Sequence, residues 1–141
     1  MQKYGSAKWQ GGIKDGLGSI SAESGVLKDA PYGFKARFEG GPGTNPEELI
    51  GAAHAGCFSM ALSLFLGEAK MVAESIATKA TVTLDKDDSG FTITAVHLDV
   101  KVRVPGADKA AVEKALQTAK AGCPVSKLFK AEITMDATVE T

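Results

Sequence analysis

Apolar and polar positions alternate through the first third of the chain, merge into one apolar run in the middle, and alternate again beyond it. Three short alternating runs, at residues 4–9, 17–21 and 34–38, predict strands separated by turn residues at Gly11-Gly12 and Asp15-Gly16. Gly40-Gly41-Pro42-Gly43 then breaks the pattern. Asn45 ahead of Pro46, with Glu47 and Glu48 in the first turn, predicts a helix start: a cap, a proline at the first helical position, and acids where the helix dipole favours them. Asn45 with Glu48, or Thr44 with Glu47, approximates a capping box. This helix is expected to run to about Lys70.

Ile76, Thr78, Ala80, Val82 and Leu84 share one face of a long strand. Phe91, Ile93 and Ala95 begin a second, which changes face at Val96 and continues through Leu98, Val100, Val102 and Val104, so a bulge is expected near Ala95-Val96. Asp87-Asp88-Ser89-Gly90 reads as the hairpin loop, and Pro105-Gly106 ends the pair. Residues 108–121 form an amphipathic helix capped by Asp108 and ended by Gly122, a short helix starts at Cys123-Pro124, and residues 133–139 form a last strand. The order βββ-α-ββ-α-β, with clustered strands, implies one α+β domain over residues 1–141 with mainly antiparallel pairing.

The apolar run needs a covering partner. Between Leu49 and Gly67 there is no Lys, Arg, Asp or Glu, a stretch of 19 residues (67 − 49 + 1), close to the ~20 that span a bilayer. His54, Ser59, Ser63 and interspersed glycines make it instead the centre of a soluble assembly, and a single short sheet cannot cover such a helix on every side. A homodimer with this helix at its heart is expected, and no membrane.

Composition narrows the classes of partner. The 141 residues are 44% hydrophobic and 23% charged with a formal net charge of −1, and no long stretch of one sign offers a nucleic-acid or anionic-membrane footprint. Arg37 and Arg103 are the only arginines. The first residues lack the apolar core of a signal peptide, and two cysteines cannot make a disulfide framework, so the expected compartment is the cytoplasm.

The two cysteines, Cys57 and Cys123, lie 66 residues apart (123 − 57), which excludes a CxxC motif. Free cysteines are often small core hydrophobes. Against that reading, Cys123 stands between a helix-ending glycine and a proline, the place of an N-cap, where backbone N–H groups favour a thiolate. His54 precedes Cys57 by three residues on the same helical face, as a base or as a packed polar residue. Arg37 sits centrally in an apolar segment, where a solvated strand face is the ordinary explanation. Cys57, Cys123, His54 and His97 are also four zinc-type donors, but no pair has zinc-site spacing, so no metal is expected. No GxGxxG, GxxxxGK[ST] or GxSxG is present.

The segments Thr44-Asn45-Pro46-Glu47-Glu48-Leu49-Ile50-Gly51-Ala52-Ala53-His54-Ala55-Gly56-Cys57-Phe58 and Ala121-Gly122-Cys123-Pro124-Val125-Ser126 resemble the OsmC/Ohr family of thiol-dependent hydroperoxide reductases. Glu23-Ser24-Gly25-Val26-Leu27, Pro31-Tyr32-Gly33-Phe34 and Arg37-Phe38-Glu39-Gly40 look more like its OsmC branch. The resemblance implies an intertwined homodimer with two central helices wrapped by sheets, and no cofactor. It implies a peroxidatic Cys57, a resolving Cys123, and an Arg37–Glu47 pair beside the reactive sulfur. The substrate is then an organic hydroperoxide and the reductant an external dithiol, of lipoyl type by the family's example. Phe38, Phe58, Met60 and Leu128, neighbours of these residues in sequence, are the expected apolar lining. Ten residues of helix carry Glu47 about 15 Å from Cys57, so either the helix breaks or each site borrows Glu47 and Arg37 from the other chain; the second is expected. The competing readings are a general disulfide reductase, a non-catalytic dimer that binds an apolar small molecule, and a peroxide sensor signalling through its disulfide.

Overall fold

Alternation in the glycine-rich first third does make strands. In a computed structural model that describes residues 1–141, β1 (Gly5–Gln10), β2 (Leu17–Ala22) and β3 (Ala30–Tyr32) pair antiparallel in that order. They belong to the first of two compact units, Met1–Leu49 and Ile50–Thr141. The strand expected at residues 34–38 is instead a helical turn, α1 (Phe34–Phe38), and β3 lies just upstream of it. Phe-Lys-Ala-Arg-Phe satisfies both periods, because Phe34 and Phe38 alternate with polar residues and also stand four apart. Lys, Ala and Arg are good helix formers, and the helix brings the two rings to 5.0 Å between centroids while burying Ala36. Past α1 the chain returns against β3, where the Thr44 N–H donates to the Pro31 carbonyl over 2.8 Å. Gly43 (φ +112°) makes that return, and a Cβ there would lie 2.5 Å from the same carbonyl oxygen.

The long apolar run is one helix, α2 (Pro46–Glu68). Asn45 caps it as expected: its side-chain oxygen accepts from the Glu48 N–H at 2.9 Å. Neither capping box closes, because Glu48 takes the Thr44 hydroxyl at 2.5 Å and Glu47 is held elsewhere.

In the second unit, β4 (Ser75–Asp87) and β5 (Gly90–Arg103) form the long hairpin with Asp88 and Ser89 at its tip. Thr83 faces Ala95 while Leu84 faces Ile93, so Thr94 is the extra residue and the bulge falls just ahead of the expected position. α3 (Lys109–Gly122) is capped by the Asp108 carboxylate, which accepts from the Ala111 N–H. It leads through Cys123 into the five-residue α4 (Pro124–Leu128) and then β6 (Glu132–Glu140). β6 lies parallel to β5, unlike the other strand pairs, because the α3–α4 crossover returns the chain to the same end of the sheet.

The core is the inward face of this sheet. Leu98, Val100 and Val102 of β5 pack with Phe58, Leu62 and Leu66 of α2 and with Val112, Leu116 and Ala119 of α3. At Gly51 α2 runs close against the sheet: a Cβ there would lie 2.9 Å from the Ala80 carbonyl oxygen, which is backbone and cannot turn aside. Gly51→Ala is therefore expected to destabilise by about 1–3 kcal/mol despite its better helix propensity, and a denaturant melt measures it.

Candidate active site

Arg37 and Glu47 meet in the first unit. Arg37 lies on α1 rather than on a strand, and Glu47 on the first turn of α2. The Arg37 guanidinium donates from Nη2 to Glu47 Oε1 at 2.6 Å and from Nε to both carboxylate oxygens at 3.1 and 3.2 Å. Such a fork fixes the cation more firmly than a single contact does, and the Glu47 side chain is only 13% exposed. Beside the pair lies an apolar cavity of about 310 Å3, lined by Trp9, Ile13, Tyr32, Phe34, Phe38 and Arg37. The Trp9 and Tyr32 rings meet at a tilt with centroids 5.5 Å apart, and the Arg37 guanidinium carbon stands 5.3 Å from the Phe38 ring centre. The aromatic lining drawn from β1 and β3 carries no motif in the sequence, where Trp9 reads only as part of a strand.

The second unit assembles the sulfurs. Cys57, half-buried on α2, and Cys123, fully buried at the α3–α4 junction, are free thiols. Burial pushes the Cys57 thiol above its ordinary range, interaction with the Cys123 thiol adds to the rise, and the Val125 backbone N–H pulls the other way. Cys123 does stand at the N-terminal end of α4, but its side chain makes no capping bond.

His54 does not pair with Cys57. It is fully enclosed, its Nε2 lies 2.8 Å from Ser126 Oγ, and its ring stands 5.2 Å from that of Phe129. Its Nδ1 has no partner. Ser126 was visible in the Cys-Pro-Val-Ser segment, but nothing local assigns it a partner 72 residues away. Burial lowers the His54 pKa from 6.5. The unfolded chain therefore takes up a proton below about pH 6.5 that the folded chain resists, and stability falls as pH drops from there to the folded value, by at most about 1.4 kcal/mol per pH unit. His54→Gln is expected to flatten that part of a stability-versus-pH curve measured by urea titration.

Of the four residues expected to form an apolar lining, Phe38 lines the first-unit cavity. Phe58 does not belong to a lining: it points from α2 into the core and is fully buried there. Met60 and Leu128 are each 77% exposed. His97 lies apart from the thiols, on the outward face of β5, where His97, Asp99 and Asp136 place donor atoms within 4.8 Å of one another. Asp136 is 85% exposed there, and imidazole–carboxylate contacts of 3.3 and 3.5 Å account for the grouping.

The family model described as OsmC-like protein matches residues 39–138. The chain belongs to the OsmC family. Among OsmC-family relatives, the protein named peroxiredoxin OsmC of Escherichia coli (strain K12) is 60% identical over 136 residues, covering 96% of this chain and 95% of that one. An organic hydroperoxide resistance protein-like 2 of Staphylococcus epidermidis is 36% identical over 97 residues, covering 67% and 66%. The crystal structure of the organic hydroperoxide resistance protein OhrB of Bacillus subtilis superposes with a TM-score of 0.68 at 26% identity, covering 97% and 98%. An OsmC-like protein of Mycoplasma pneumoniae shares the fold with a TM-score of 0.79 at 11% identity. The OsmC-branch resemblance read from sequence agrees with these likenesses.

Proposed function

We propose that the protein is a cysteine peroxidase that reduces organic hydroperoxides to alcohols. The observation that carries this reading is the interaction of two free thiols, Cys57 on α2 and Cys123 at the start of α4. The names of the relatives, peroxiredoxin and organic hydroperoxide resistance protein, support it. The Cys57 thiolate attacks the outer peroxide oxygen, the O–O bond breaks, and the alkoxide leaves and takes up a proton. Cys57 becomes a sulfenic acid. The Cys123 sulfur then displaces hydroxide from it to form a Cys57–Cys123 disulfide, the displaced group leaves as water, and an external dithiol returns both thiols.

A thiol raised by burial needs a cation to ionise, and the clamped Arg37 is suited to that task because it stays charged at any working pH. α2 runs unbroken from Pro46 to Glu68, which supports the reading in which each site borrows this pair from another copy. We therefore assign Arg37 and Glu47 of one copy to the thiols of another. Only 28% of the apolar stretch of α2 is buried within one chain, and length and composition alone would let it cross a membrane. A second copy laid on its exposed Ala52, Ala53, Gly56, Met60 and Leu64 covers it instead. The aromatic cavity beside Arg37 suits the organic group of the substrate, with Met60 and Leu128 on the exposed surface nearby in sequence to the reacting residues. Cytoplasmic thiol reductants would keep both cysteines reduced between turnovers.

The test is peroxide consumption by the reduced protein with excess dithiol. Cumene hydroperoxide is expected to be consumed faster than hydrogen peroxide, and mass analysis of the dithiol-free product to show loss of two hydrogens. Failure to consume either peroxide would overturn the reading.

A further inference from the structure

We propose that His54 is a positioning residue for disulfide formation, setting α4 on α2 so that Cys123 is presented to oxidised Cys57; this rests on the peroxidase reading above. His54 and Cys57 stand three residues apart on α2, and Cys123 and Ser126 stand three apart across the start of α4. The contacts join them in opposite order: His54 to Ser126 by a 2.8 Å bond, and Cys57 to Cys123 through their thiols. Two rungs therefore fix the register of one short segment on the long helix.

Packing alone does not explain a histidine at this place. The ring is fully buried, and its Nδ1 is left without a partner, a desolvation cost that an apolar residue of similar size would avoid. What the imidazole supplies is the directional bond from Nε2. The recipient needs it. α4 is only five residues long, and its N-cap, Cys123, makes no side-chain capping bond, so the segment has little of its own to hold it. Ser126 is one residue beyond Val125, whose N–H acts on the Cys57 sulfur, so the same bond sets that donor too.

The step served is Cys57–SOH + HS–Cys123 → Cys57–S–S–Cys123 + water. The Cys123 sulfur forms the new bond, the Cys57 S–O bond breaks, and the departing hydroxide carries off the Cys123 proton. Its competitor is a second hydroperoxide, which oxidises the sulfenic acid to sulfinic acid and leaves as the alcohol. The partition between these fates reports how well Cys123 is placed.

The experiment compares wild type, His54→Leu, Ser126→Ala and His54→Gln, each shown to be folded by circular dichroism. Stopped-flow mixing with cumene hydroperoxide follows sulfenic acid and disulfide, and mass spectrometry scores sulfinic Cys57. For His54→Leu and Ser126→Ala the ratio of disulfide formation to first oxidation is expected to fall about tenfold or more, with sulfinic acid appearing at doses that give wild type only disulfide. His54→Gln, whose amide nitrogen reaches the place of Nε2, is expected to recover most of the ratio. Wild-type ratios in both Ser126→Ala and His54→Leu overturn the proposal, as does failure of His54→Gln to do better than His54→Leu. A second arm replaces peroxide with the thiol oxidant diamide, which closes the disulfide without a peroxidase step. If wild type ignores peroxide, the peroxidase reading fails, while an unchanged diamide rate in the variants would overturn the positioning role separately.

Discussion

Cys57→Ser is expected to abolish hydroperoxide turnover, lowering kcat/KM by about 10³-fold or more. A serine hydroxyl is far too weak an acid to give a nucleophile at neutral pH, and no base is placed to activate it: the His54 Nε2 is already engaged with Ser126. Cys123→Ser should behave differently. Cys57 remains, so one equivalent of peroxide is consumed, and the enzyme then stalls as a sulfenic acid that further peroxide drives to sulfinic acid. Mixing the reduced, dithiol-free proteins with one equivalent of cumene hydroperoxide separates Cys57→Ser, which consumes none, from the other two, and trapping with a sulfenic-acid reagent separates Cys123→Ser from wild type. Equal turnover in wild type and Cys57→Ser would show that the other sulfur, or no sulfur, does the chemistry.

Arg37→Met is expected to lower kcat/KM at pH 7 by about 10²-fold, the scale of losing one fixed electrostatic group at a reacting centre. The sign of its pH dependence makes the result specific. Burial already pushes the Cys57 thiol up, so without the cation the thiolate becomes abundant only at alkaline pH. The loss should therefore shrink steadily as pH rises, whereas damage to folding or to the cavity would persist. Glu47→Gln, which loosens the fork but leaves the charge, should lose less. Profiles of kcat/KM against pH for the three proteins check this, and parallel profiles would remove Arg37 from the thiol's surroundings.

Much of the architecture was legible because it is written in local periods. β4, β5 and α3 carry long one-faced patterns, and the helix start at Asn45-Pro46 is a matter of neighbouring residues. Failures came where locality ends. Residues 34–38 are too few to distinguish a period of two from one of 3.6, so α1 read as a strand. The parallel direction of β6 depends on its crossover and on nothing within its own pattern. Phe58 looked like a lining residue only because it follows Cys57; the helix turns it into the core. At the site, the peroxidatic and resolving roles came from family resemblance and not from spacing. The His54–Ser126 bond lies across two elements that sequence distance keeps apart, and no pattern along the chain announces it.

The 66 residues between Cys57 and Cys123 give the proposed disulfide a thermodynamic role alongside its chemical one. Closing a loop of that length removes configurational freedom from the unfolded chain worth about 4 kcal/mol as an upper figure. Each turnover then alternates a chain of ordinary resilience with one that resists unfolding, and the more resilient form is the one awaiting its reductant. An oxidised population that outlasts its dithiol supply is thus also the population best protected from unfolding and from the proteases that act on unfolded chains.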